Sequence, residues 1–132
     1  MLKNLVLTIL LSAPVVLSAH HSVALVFSQE RITLEGSIKE LKWVNPHSSF
    51  VLEVIKEDGT REEWLVELLA RIALERGGWN LDELKNDWNI TLVGRVGYRE
   101  RTLRFVEARL PDGRILRERS PLDPSDKEIF SR

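Results

Sequence analysis

Apolar and polar residues alternate along much of the chain, and the alternation changes phase once. Ile32, Leu34, Gly36 and Ile38 keep a period of two, and Leu41 and Trp43 then continue on the opposite phase. The segment from Arg31 to Trp43 therefore predicts a long strand with one buried face, bulged or bent near Lys39-Glu40. Asn45-Pro46-His47-Ser48 carries turn chemistry. Phe50, Leu52 and Val54 alternate as a second strand, and Asp58-Gly59 turns the chain into a third with Trp64, Val66 and Leu68.

The period then lengthens. Leu65, Leu68, Leu69, Ile72 and Arg76 recur at helical spacing, Glu67–Arg71 and Arg71–Glu75 are i,i+4 charge pairs, and Gly77-Gly78 ends the element. Asn80 with Glu83 resembles a capping box opening a short helical turn over Leu81 to Lys85. Ile90, Leu92, Gly94 and Val96 predict a fourth strand and Thr102 to Leu110 a fifth, with Pro111-Asp112-Gly113 as a hairpin into Ile115-Leu116. The pattern is that of a mainly β protein, a small partly open five- to six-stranded OB-like barrel with a short helical insertion between strands three and four. There are too few strands for the two full sheets of a sandwich, and an SH3-like barrel is the nearest competitor.

The amino-terminal residues follow another rule. A basic start (Met1 to Asn4), an apolar run (Leu5 to Leu11) and a small-residue region ending in Ser18-Ala19 have the order of a secretory signal. Even extended to Leu17, the apolar stretch is too short for a helix across a bilayer of about 30 Å. The expected organisation is a signal peptide over 1–19, an OB-like domain over 20–116 and a polar tail over 117–132. Export to the periplasm or beyond the cell follows, with no stable membrane span after cleavage.

Composition narrows the chemistry. The 132 residues carry a net charge of −1 and no cysteine. That length suits one domain with a modest core. The balanced charge argues against a nucleic-acid partner. The missing cysteines exclude disulfides, thiolate metal sites, a cysteine nucleophile and a lipid-bearing cysteine.

Three histidines remain, and two sit at the cut. Cleavage after Ala19 makes His20-His21 the new terminus, which places an α-amine and two imidazoles within two residues. The amine and the His20 ring can close one chelate, and His47 can add a third imidazole. Such an all-nitrogen set suits copper first, with nickel or zinc behind it. Cleavage after Ser18 leaves Ala19-His20-His21, whose amine, two amides and third-place imidazole suit a square-planar ion. Convergence depends on the path of the chain. If Val23 to Phe27 folds back on the first strand through Ser28 to Glu30, His20 lies opposite about Ile38 and about 30 Å from His47. A crossing segment or a tightly bent first strand brings the three together.

Arginines form a second constellation. Arg95, Arg99, Arg101, Arg104, Arg109, Arg114, Arg117 and Arg119 oppose only Glu100, Glu107, Asp112 and Glu118, a local excess of four positive charges. This suits a small anionic ligand, a lipid headgroup or an acidic protein partner, or else a charged sheet edge guarded against aggregation. Trp43 and Asn45 would join Arg95, Arg99, Arg101 and Arg104 in lining such a ligand face. Trp43 and Trp64 fit strand alternation and core filling, while Trp79 and Trp88 flank the helical insertion and suit a plug at the barrel's end. No catalytic triad, phosphate loop or paired carboxylates stand out, so no catalytic residue is assigned.

Ala19-His20-His21-Ser22, Thr33-Leu34-Glu35-Gly36, Trp43-Val44-Asn45-Pro46-His47 and Glu63-Trp64 together resemble a family of small exported bacterial proteins classed only as a domain of unknown function. Its members share an AHHS start at the cleavage site, a TLxG step and a WxNPH turn. The likeness runs from about Ala19 to Leu116, and Arg76-Gly77-Gly78-Trp79 resembles the family's RGW segment with one glycine more. This chain departs from the family with Val23 after HHS. It also has Leu69-Ala70-Arg71 where the family has Gly-x-Pro, and Asn86-Asp87-Trp88-Asn89 where it has Pro-Gly-Asp. The resemblance implies a periplasmic, OB-like domain and supplies no activity.

The expected function is an exported domain that binds a transition metal, copper favoured, through its mature amino-terminal histidines for capture or transfer of the ion. Two alternatives stand beside it. One is a non-metal ligand- or protein-binding module that uses the barrel face and the arginine-rich strands, and the other is a copper-dependent oxidative enzyme.

Overall fold

The structure, a computed structural model, describes residues 26–118. Six strands occupy most of them: β1 (Phe27–Lys42), β2 (Ser49–Ile55), β3 (Arg61–Glu67), β4 (Asn89–Gly97), β5 (Thr102–Arg109) and β6 (Ile115–Arg117). A short helix, α1 (Arg71–Arg76), and a 3-10 turn (Leu81–Glu83) lie between β3 and β4. The strands are ordered β3-β2-β1-β4-β5-β6, each antiparallel to its neighbour. Leu65 to Glu67 of β3 also pair in parallel with Thr102 to Arg104 of β5, which closes five strands into a ring. The OB-like barrel is thus formed as the apolar alternation predicts, with β6 as an added edge.

The ring is strongly staggered. Stepping across paired residues from Arg31 leads to Arg95, Arg104, Glu67, Ser49 and then Lys42, which is β1 again, eleven residues further along. One strand can serve both halves of the barrel only by coiling, because stagger and strand tilt rise together. The bend falls where the phase switch predicts it. Pairing with β2 slips between Lys39 and Lys42, and Glu40 takes a positive φ of 47°. The Asn86–Trp88 turn satisfies the backbone freed there: Ile38 N donates to Trp88 O, Asp87 N to Ile38 O, and Leu41 N to Asn86 Oδ1.

Core-facing residues follow the alternation, with Ile38, Phe50, Leu52, Val66, Leu92 and Leu103 fully buried. Leu74, Trp79 and Leu84 from the insertion join the same cluster and plug one end. Gly36 lies where β2 crosses β1: a Cβ there would sit 2.4 Å from the Glu53 carbonyl oxygen.

Three elements differ from the sequence expectation. β1 begins at Phe27, four residues before Arg31, and Phe27 pairs with Gly97 of β4. Phe27 to Glu30 therefore lie within β1, and a fold-back through Ser28 to Glu30 does not form. The helix is confined to Arg71–Arg76, because Leu65 to Glu67 close the barrel as part of β3 and Leu68 and Leu69 bond to Ser48. The second helical turn contracts to three residues. Asn80 caps it by accepting from Asp82 N at 3.1 Å, while the Glu83 carboxylate turns away to Arg114. No helix among the described residues is long and apolar enough to cross a membrane.

Candidate functional site

His47 belongs to the turn between β1 and β2, which is fastened to α1. Arg71 N donates to Val44 O, and Asn45 Oδ1 accepts from Ile72 N at 3.3 Å. Ser48 is fully buried, and its hydroxyl both accepts from Val44 N and donates to Val44 O. The Asn45–Pro46 peptide is cis. The backbone of the turn is thus held from both sides while the His47 imidazole faces solvent. Asn45, expected among the ligand-lining residues, spends its side-chain oxygen on this fastening.

His20 and His21 lie outside the described residues. The described chain starts at Val26, whose carbonyl accepts from Tyr98 N beside the β4–β5 turn. Covalent reach then bounds what the terminal histidines can touch. From Val26 the shortest bonded route to His47 runs through Tyr98 and Arg101 across the turn, Leu65 (whose N donates to Arg101 O) and Val51, then four residues back along β2. Four lateral steps of about 4.8 Å and about 13 Å along the strand give a diagonal of about 23 Å. The six residues from His20 to Val26 stretch about 20 Å. Among the described residues no three histidines or carboxylates are grouped in a way that could hold a metal ion.

The tryptophans hold the core's edge. Trp43 meets Trp79 edge-on at 6.3 Å, and Trp79 meets Phe105 at 5.5 Å in the same manner. The Trp79 indole donates to Arg117 O at 2.9 Å, which ties the plug to β6. Trp43, half-buried, thus packs against the core. Trp64 is half-buried against the core and donates to Glu62. The Trp88 ring lies under the Lys85 ammonium at 5.6 Å. The ammonium of Lys56 and the Trp64 indole bond the Glu62 carboxylate and hold its pKa below the usual value.

The arginines do not form one cradle. Arg104 points outward from β5 yet is buried: it pairs with Glu118 at 2.5 Å and donates to Glu67 O at 2.9 Å. Glu118 also accepts from Leu69 N, so its carboxylate joins β5, the end of β3 and the chain after β6. Arg114 is spent on Asp112 and Glu83, Arg117 on Glu107, and Arg101 on Glu100. Arg101 also serves through its backbone, at a positive φ of 51°. Arg95, Arg99 and Arg109 have no ion pair among the described residues, and only Arg95 is half-buried. Arg119 lies outside the described residues. Sequence reasoning missed Arg31, which stands directly opposite Arg95 on β1. It is remote from the arginine-rich segment, so only the β1–β4 register reveals the pair. It also missed the anchoring of Glu118, assigned to the tail, because nothing local marks one carboxylate among several as buried.

No curated protein and no solved structure matches the chain. One family does, over residues 8–102, a span that includes β1 to β4, the His47 turn and the helical insertion. The chain belongs to that family, DUF6152, a family of unknown function.

Proposed function

We propose that this protein is an exported domain that captures or transfers a transition metal, copper in preference, through His20 and His21 at its mature amino terminus. The observation that carries the reading is the placement of the histidine pair at the small-residue cleavage region of the signal. The α-amine released by cleavage and the His20 imidazole would hold the ion first, with His21 beside them. An unperturbed α-amine titrates at about 7.7–8.0 and an imidazole at about 6.5, so metal can displace both protons near neutral pH. Donors of nitrogen only, with no cysteine in the chain, favour copper over zinc. His47 supports the reading as a third ligand because its turn is fixed and its ring faces solvent.

Expression with the signal intact, followed by mass measurement of the periplasmic form, identifies the terminus. Titration of that form with Cu(II) is expected to show one tight site, weakened by about tenfold or more in His20→Ala and less in His47→Ala. Affinity is expected to fall on acidification, because protons compete with the metal for nitrogen donors. Binding no tighter than that of the His20→Ala/His21→Ala protein removes the metal reading.

A further inference from the structure

We propose that Arg31 and Arg95 form a binding site for a compact oxyanion of the phosphate-monoester class on the outer face of the barrel. The two residues are register partners on neighbouring strands. Arg31 precedes core-packed Ile32 and Arg95 lies between Gly94 and core-packed Val96, so as register partners both side chains leave the same outer face.

Neither guanidinium has an ion pair among the described residues, although most of the other arginines near them do. Of the acids nearby, Glu107 opposite Val93 is engaged by Arg117, and Glu30, which precedes Arg31, makes no ion pair with either guanidinium. Thr33 and Val93 form the next outward pair along the strands, and the nearest outward acid on β1 beyond them is Glu35. Across the row, Arg104 is the next partner of Arg95, and its charge is already balanced by Glu118. Two like charges directly opposite in an antiparallel pair destabilise a sheet, with Cβ atoms only about 5 Å apart. That spacing lets two planar forks converge on one tetrahedral anion, each through paired N–H donors. Arg95 is half-buried, so an anion beside it is less screened than at an open surface. Glu35 along β1 and Glu67 beyond Arg104 bound the patch. A long polyanion would meet those carboxylates, and a compact dianion would not.

Inorganic phosphate is the probe, titrated into the domain at low ionic strength with EDTA present, so that metal at the histidines does not enter the measurement. Saturable one-to-one binding is expected. Arg31→Gln and Arg95→Gln should each weaken it by about tenfold or more, the scale of losing a charged hydrogen-bonding group. Arg109→Gln, at an exposed arginine of β5 also without an ion pair, should leave it within about twofold. Phosphate should raise the melting temperature of the wild type, and the Arg31→Gln protein should melt higher than the wild type without phosphate because the like-charge pair is gone. A parallel sedimentation with phosphatidic-acid vesicles separates a lipid headgroup from a free ester. Pelleting that the double variant loses assigns the site to a headgroup, and phosphate binding without pelleting assigns it to a soluble ligand. Absence of both phosphate and vesicle binding overturns the site, as does binding that survives Arg31→Gln/Arg95→Gln.

Discussion

Gly36 shows how one missing Cβ permits the barrel. Glu53 O occupies the space a methyl group would need, and the contact is with backbone, which cannot swing aside. Gly36→Ala is expected to destabilise the fold by about 2–3 kcal/mol, the upper range for overpacking, measured by urea unfolding. An aspartate at a turn acts through charge instead. The Arg114 guanidinium and backbone N–H bond the Asp112 carboxylate and hold its pKa below the ordinary value, and Thr60 does the same for Asp58. Folded pKa values below the unfolded ones mean that the folded state sheds these protons more readily. Their stabilisation is present above about pH 4 and is lost as pH falls through the folded values. Urea midpoints should therefore decline below about pH 4, and the decline should be shallower in Asp112→Asn. A decline of unchanged slope in that variant would locate the acid sensitivity elsewhere.

Among the elements, the chain after β6 is the least legible from sequence. A polar run with prolines reads as a surface tail, yet Glu118 is buried where its carboxylate meets Arg104 and Leu69 N. Removing one partner strands a charge, which costs about 3–5 kcal/mol. Glu118→Gln should lose a large part of that, and Arg104→Met with Glu118→Leu should recover much of it, because two apolar side chains leave no orphan. The bend of β1 was legible because a bulge inverts alternation, and Ile38 followed by Leu41 records that inversion directly. The helical period runs past the helix itself for a physical reason. Leu65, Leu68, Leu69 and Ile72 satisfy a helical period, while Trp64, Val66 and Leu68 satisfy a strand period over the same residues. Only pairing with β5 decides between them, and that pairing is remote in sequence. The histidine turn was legible as a turn, and its fastening to α1 through Asn45 was not.

At the scale of the molecule, closure follows from one parallel contact, Leu65–Glu67 with Thr102–Arg104, added to an antiparallel sheet. A single core cluster spans both sheet halves and the helical insertion. One cooperative unfolding transition is therefore expected, with far-ultraviolet dichroism and tryptophan fluorescence reporting the same midpoint. Separate midpoints would show that the Trp43–Trp79 end opens independently.

The stagger of the ring also dictates an order of assembly. β2 can pair with the second half of β1, and β3 with β2, as soon as they are made, since those partners are close in sequence. The first half of β1 must wait for β4: Arg31, for example, has its partner in Arg95. Until then β1 presents an unpaired edge, open to a second chain. Closing long loops before contacts repay them is slow, so folding in milliseconds to seconds is the expected regime. Destabilising changes in β4 should then slow folding, whereas equal changes in the β5–β6 hairpin should speed unfolding. The bent first strand is thus both the frame of the barrel and its kinetic bottleneck.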